Sequence, residues 1–286
     1  MSNSQIPAVS VEKQSPVYEI DGGSRNLLSE AMLDMHEGLN NHRLWRQLAK
    51  IDIQQRYHGS RLGPFWITAT SGIFAVGIGL VYSQIFQIAL ADYIPFVGIG
   101  IVLWGAIISV MTEGTQTFIA AGGIIKQLRM PLSLFLFRLM YRNVISFGYR
   151  AIVIVVLMLV MQVPVTRAMP LALVGVMLFF LVAIWAVLLI AILSIRFRDI
   201  IPLTSMLLTF SFFMTPIFWK PSRLGEYEWL MNFNPFYHFM VIIRQPLLGT
   251  VPSAVHYIMA VGLIVILAIS SLWLFAYTRR SIPFWT

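Results

Sequence analysis

The strongly ionisable residues of this chain are few and unevenly placed. Arg56 and Arg61 flank Tyr57-His58-Gly59-Ser60, and Gly63-Pro64 then opens an uncharged run that continues to about Leu90. Guanidinium groups immediately before so long an apolar stretch are suited to holding the headgroups of a membrane surface. Inside the apolar stretches the strongly ionisable residues are Glu113 and Arg150. Both sit near the same end of their runs, where an unpaired charge is costly. Glu113 is therefore expected in a buried ion pair with Arg150 or Arg142. A proton- or ion-coupled transporter carries carboxylates near the bilayer midplane, and none is placed there.

Catalytic signatures are missing. No G-x-x-x-x-G-K-[ST] occurs, so ATP is not bound through a P-loop of this chain, and neither H-E-x-x-H nor G-x-S-x-G occurs. The histidines, His36, His42, His58, His238 and His256, are spread over different segments without ligand spacing. With no cysteine, disulfides and thiolate metal sites are excluded. The expectation is a chain with no catalytic residue, no metal and no cofactor of its own.

The elements that must position these residues follow from composition. Hydrophobic residues make up 58% of the chain and charged residues 11%, and the mean hydropathy is +0.78. A soluble domain carries about 25% charged residues, so this chain could not cover its own surface. The reading is an all-α membrane protein with six transmembrane helices, at about 64–90, 94–118, 144–163, 170–194, 200–219 and 254–277. If the N-terminus is cytoplasmic, most cations outside the tail lie inside, from Arg43 and Arg46 to Arg279 and Arg280. Only Arg167, Lys220, Arg223 and Arg244 lie outside. That bias places both termini in the cytoplasm and makes the net charge of +8 a topological signal rather than a sign of nucleic-acid binding.

Residues 1–38 carry Glu12, Glu19, Asp21, Glu30, Asp34 and Glu37 among Pro, Ser and Gly, and are expected to form a mobile acidic tail without a cleavable signal. Residues 39–60 are expected to form an amphipathic helix in the membrane interface. Leu44, Trp45, Leu48, Ala49 and Ile51 would face lipid, with Asp52 and Ile53 out of pattern. The six-span domain would occupy 64–283.

Two loops could do work. Between spans two and three, Gly122-Gly123 and Pro131 bound Ile124 to Met130, a basic segment of about two helical turns. It is either a docking helix for a cytoplasmic subunit, within about 122–131, or a plain topogenic loop. Before the last span, two short re-entrant helices at about 224–232 and 236–248 would join at Asn234-Pro235. Their aromatics, Tyr227, Trp229, Phe233, Phe236, Tyr237 and Phe239, could close an exit or simply form an interfacial belt.

The stretch Arg56-Tyr-His-Gly-Ser-Arg-Leu-Gly-Pro-Phe-Trp66 resembles the signature preceding the first span of bacterial polysaccharide-export permeases. These are the membrane subunits of type-2 ABC transporters that move O-antigen, capsule and teichoic-acid chains. The likeness extends over about 40–283. It implies a homodimer with two copies of a separate cytoplasmic ATPase, which would hold the ATP and magnesium. It also implies translocation of an undecaprenyl-diphosphate-linked glycan across the bacterial inner membrane, through a channel between two permeases. Ile124, Lys126, Gln127, Arg129 and Met130 would then couple to the ATPase, and Arg56, Arg61 and Gly63 would lie at the entrance near the lipid diphosphate. Glycans slide over aromatic faces, so Trp66, Phe74, Tyr82 and Phe86 of span one, and Phe210, Phe213 and Trp219 of span five, are candidate channel-lining residues. Capsule or teichoic-acid export is the nearest competing reading. A secondary transporter is disfavoured by the missing midplane charges. A membrane enzyme on lipid-linked sugars is disfavoured by the lack of an acidic cluster with metal-like spacing.

Overall fold

A computed structural model of the protein describes residues 27–286; Glu12, Glu19 and Asp21 lie outside the described residues. Among the described residues the chain is helical and contains no strand. In order it runs α1 (Leu27–Asn40), α2 (His42–Arg56), α3 (Phe65–Phe86), α4 (Leu90–Gly114), α5 (Thr117–Gln127) and α6 (Ser133–Val160). It continues with α7 (Pro170–Arg196), α8 (Ile200–Met214), a 3-10 segment (Pro221–Phe233), α9 (Pro235–Leu247), α10 (Ala254–Thr278) and the short α11 (Ile282–Trp285).

Five helical stretches are long and apolar enough to cross a membrane: Phe65–Phe86, Leu90–Gln127, Ser133–Val160, Pro170–Arg196 and Ala254–Thr278. The fifth expected span, 200–219, is shorter than its apolar run. Thr215 precedes Pro216, whose ring disfavours helical backbone before it, and Thr215 is extended at φ −96°, ψ 135°. The helix therefore stops at Met214. At 15 residues it rises about 22 Å, less than a hydrocarbon core of about 30 Å.

The central helix is α4. It is buried along most of its length and packs against α3, α6, α7, α8 and α9. Its Val102, Leu103 and Ile107 belong to one core with Phe179 of α7, Met240 and Ile243 of α9, and Ile264 of α10. By contrast, α3 buries only Ala75, Gly79 and Ser83. This stripe of small residues at four-residue spacing lets α4 come close, as small residues do where lipid offers helices no hydrophobic drive to associate. A Cβ on Gly79 would lie 2.9 Å from Ile94 Cγ1. The rest of α3 looks outward, as does α8, which buries only Thr204 and Leu208.

Three expectations need correcting at the end of the bundle that carries most of the cations. Residues 27–40 are helical rather than part of a mobile tail. In α1, Asp34 is 1% exposed and accepts the backbone N–H groups of Leu132 (3.1 Å) and Ser133 (2.9 Å) at the start of α6. Glu30 and Asp34 of α1 are thus counter-charges: Arg279 and Arg280 after α10 meet Asp34 and Glu30.

Part of the apolar side of α2 packs on protein, while Ile51 remains exposed. Leu44, Trp45 and Leu48 lie against Leu134 and Phe135 of α6, and the Trp45 ring meets Tyr141 edge-on at 5.3 Å. Finally, Gly122-Gly123 do not break the chain. They lie inside α5, since one helical glycine costs only about 1 kcal/mol relative to alanine, too little to end a packed helix.

Candidate coupling face and substrate path

The basic end is organised around two carboxylates. Glu113, in the last turn of α4, receives Arg142 Nη2 at 2.7 Å and Nε at 3.1 Å. Arg56 Nη1 donates to Glu113 Oε1 at 2.8 Å, and Asn143 Nδ2 donates to Oε2, the oxygen that Arg142 holds, at 3.1 Å. Asp52, out of pattern on the apolar side of α2, receives Arg142 Nη1 at 2.9 Å and Arg138 Nε at 2.8 Å. A second Arg138 donor also bonds Asp52, completing a two-pronged contact.

Arg142 therefore bridges both carboxylates, and the network joins α2, α4 and α6. Of the two partners expected for Glu113, Arg142 occupies the position. Arg150 makes no ion pair among the described residues. Eight residues further along α6, its guanidinium lies beside Gly105, a little more than two turns up α4 from Glu113. A cavity of about 340 Å³ opens beside the network, with Arg56, Arg138, Arg142, Glu113 and Gln116 in its wall.

Ile124, Lys126 and Gln127 are exposed on the last turn of α5. Leu128 turns extended, at φ −123°, ψ 133°, so Arg129 and Met130 belong to a non-helical strap that leads to Pro131. The expected independent helix over 124–130 is half helix and half strap. Lys126 Nζ donates to the backbone oxygen of Thr286.

The loop Gly59 to Pro64 makes two left-handed steps, Gly59 at φ +79° and Gly63 at φ +54°, which side chains other than glycine's resist. Gly63 N–H donates to Ser60 Oγ at 3.1 Å, closing a tight turn that leaves Arg61 exposed. Arg56 and Arg61 thus differ: the first is committed to Glu113 and the second projects outward.

The candidate path residues divide by burial. Trp66 (49%), Phe74 (64%), Phe210 (63%) and Phe213 (63%) are exposed on α3 and α8. Tyr82 and Phe86 are half-buried instead, and the Tyr82 ring packs against Phe86 and Phe218. Residues eight apart drift about 80° around a helix, so two steps carry Tyr82 away from the side of Trp66. Trp219 packs against a small core of Met231, Tyr237 and Val241.

At the opposite end, which we call the aromatic end, the first expected gate helix is a 3-10 segment interrupted at Gly225 (φ +56°, ψ −121°). The second is α9, whose start is capped by Asn234 Oδ1 accepting Phe236 N–H at 3.0 Å. Tyr227, Trp229 and Phe233 are exposed. Tyr237 and Phe239 are buried, and Phe236 packs on the main core with its ring edge-on to Trp104. Half of the expected gate aromatics therefore hold α9 in place, since an α9 lying against α7 and α10 must fill that seam with apolar volume.

Two features here were missed from sequence. Arg244 is buried: its guanidinium lies 3.9 Å from the Phe96 ring centre and donates to Pro216 O at 2.8 Å. His238 and His256 come together, Nδ1 to Nδ1 at 2.9 Å, while His238 Nε2 faces Asn232 O at 2.9 Å. The carbonyl can only accept, so in the neutral His238 the proton sits on Nε2 and His256 donates to its Nδ1. Spacing along the chain could not show either contact, because each joins segments separated by turns.

The described residues thus form a helical protein with five helices long and apolar enough to cross a membrane and a basic end tied by ion pairs. Residues 43–248 match the ABC-2 type transporter family, and the chain belongs to that family. It is a transporter membrane subunit, not an enzyme, and the family implies a separate ATPase partner. Two similar proteins come from Klebsiella pneumoniae, each described as O-antigen export system permease protein RfbA. One is 26% identical over 190 residues, covering 64% of this chain and 72% of that protein. The other is 23% identical over 200 residues, covering 68% and 76%.

Proposed function

We propose that the chain is the permease of an ATP-driven exporter that moves undecaprenyl-diphosphate-linked O-antigen polysaccharide across the bacterial inner membrane. Two copies pair so that α3 and α8 of each flank the path, and two copies of the ATPase, carrying ATP and magnesium, dock beneath. The basic end and both termini are cytoplasmic, and α8 with the residues after it makes the sixth crossing.

The observation that carries this reading is the uncovered strip of α3 and α8. Trp66, Phe74, Phe210 and Phe213 are exposed beside a largely buried α4. Aromatic faces suit a sliding sugar, because ring contacts are many, individually weak and without fixed charge. Ile124 to Met130 projects from the basic end and serves as the ATPase contact. Arg61, held outward by the Gly63 turn, meets the lipid diphosphate at the entrance. Tyr227, Trp229 and Phe233 line the exit.

The test is genetic and chemical. Cells lacking the chain should accumulate undecaprenyl-linked polymer on the cytoplasmic side and lose it from the surface, with the trapped polymer identifying the glycan. Normal surface glycan in such cells, or a trapped capsule or teichoic-acid polymer, would overturn the O-antigen assignment.

A further inference from the structure

The start of α6 lacks a cap of its own. Leu132, at the position before the helix, offers no side-chain hydrogen bond, and the first N–H groups of any helix have no partner within it. The missing acceptor comes from far away in sequence. Asp34 Oδ2 accepts Leu132 N–H and Oδ1 accepts Ser133 N–H, while Ser133 Oγ donates back to Asp34 O at 2.6 Å. A carboxylate is favoured at the positive end of a helix.

The same carboxylate is held from the other side. Arg279 Nε donates to Asp34 Oδ2 at 3.0 Å, and Glu30 pairs with Arg279 at 3.6 Å and Arg280 at 2.7 Å. One buried side chain thus joins three elements: α1, the start of α6 and the end of α10. The contact leaves no slack. Ala31, Asp34 and Gly38 are the buried residues of α1, and a Cβ on Gly38 would stand 2.1 Å from Ser133 Oγ.

We propose that Asp34 is a positioning residue for energy coupling: it pins the exit of the Ile124–Met130 segment to the last membrane helix. Force on the segment then cannot be absorbed by fraying of the first turn of α6. It passes into α6, where Arg138 and Arg142 engage Asp52 and Glu113, and into α10. This proposal rests on the reading of Ile124–Met130 as the ATPase contact.

The test uses the permease in complex with its ATPase, in vesicles, at matched permease amounts. The readout is glycan exported per ATP hydrolysed, which a purely stabilising role would not change. Asp34→Ala should lower that ratio about fivefold or more while hydrolysis continues. Gly38→Ala, which displaces α1 but keeps the carboxylate, should lower it too. Asp34→Asn, which still accepts an N–H but loses the Arg279 charge pairing, should fall between.

A second readout needs no ATPase. The chain has no cysteine, so maleimide labelling of a Leu132→Cys permease reports the fraying directly, and Asp34→Ala should speed it. The proposal is overturned if the export-to-hydrolysis ratio is unchanged in Asp34→Ala. It is equally overturned if export and hydrolysis fall together, or if labelling does not rise. If Lys126→Glu with Arg129→Glu leaves export intact while Asp34→Ala still lowers the ratio and exposes Leu132→Cys, only the docking reading fails.

Discussion

The two ends of the bundle hold buried charge in opposite ways. At the basic end, Arg56, Arg138 and Arg142 share Glu113 and Asp52, and Arg279 lies between Asp34 and Glu30. At the aromatic end, Arg244 is buried with no carboxylate in ion-pairing distance among the described residues, and a ring face and a carbonyl meet it instead. Ion pairs fix which helix lies against which, because a displaced partner leaves a charge uncompensated. Dipoles and ring faces hold the aromatic end with less penalty for displacement. On the proposed function, the basic end would transmit force and the aromatic end would let a polar chain pass without gripping it.

The sharpest break of this contrast is Glu113→Ala. It leaves Arg56 and Arg142 facing an empty site, and unfolding stability should fall by about 3 kcal/mol. Thermal unfolding in detergent measures it, and adding Arg56→Ala, whose ion pair is with Glu113 alone among the described residues, should recover part of the loss. Equal effects of the single and double variants would show that the pair is not coupled. Arg244→Ala comes next, at about 2 kcal/mol, the worth of a desolvated cation over a ring plus one hydrogen bond. Arg244→Lys should retain part of that, and a loss as large as for Glu113→Ala would erase the difference between the ends.

Smaller effects concern export rather than folding. Lys126→Glu with Arg129→Glu should lower surface glycan by about tenfold, equivalent to about 1.4 kcal/mol, a larger effect than the small loss of stability from breaking the Lys126 contact with Thr286. Unaltered complex assembly and export would reduce Ile124–Met130 to a connector. Arg61→Ala should reduce export while topology is preserved. Arg61→Lys should recover only part, about half, because an ammonium cannot match the two-pronged contact of guanidinium with phosphate. Full recovery by lysine would assign Arg61 to headgroup anchoring alone, since anchoring needs only charge and reach.

What could be seen in the sequence was whatever depends on neighbours along the chain. Five of the six expected membrane helices followed from the length of uncharged runs, and the Gly59–Pro64 turn from its glycines. The end of the Ile124–Met130 segment was marked by Pro131, but its helix was drawn past Gln127, where α5 ends, and its start at Thr117 was missed. What escaped was pairing over distance. Asp34 and Arg279 are separated by 245 positions, so Glu30 and Asp34 read as part of a solvated tail when they are paired with the far end of the chain. Asp52 looked like a flaw in an amphipathic pattern, and is the acceptor for two arginines of α6. The choice of Arg142 over Arg150 for Glu113 likewise depended on the register of α4 against α6. Among the aromatics, composition could count rings but not turn them inward or outward.

The central claim is that ATP hydrolysed outside this chain moves a lipid-linked glycan through it. The most direct measurement places the permease and its ATPase in sealed vesicles with undecaprenyl-diphosphate-linked O-antigen labelled on the sugar. Transfer of label to the leaflet opposite the ATPase is then followed. We expect transfer that requires ATP, stops when the ATPase is omitted, and falls when Lys126 and Arg129 are reversed to Glu. Transfer without ATP, or none with the intact complex and ATP, would contradict the account.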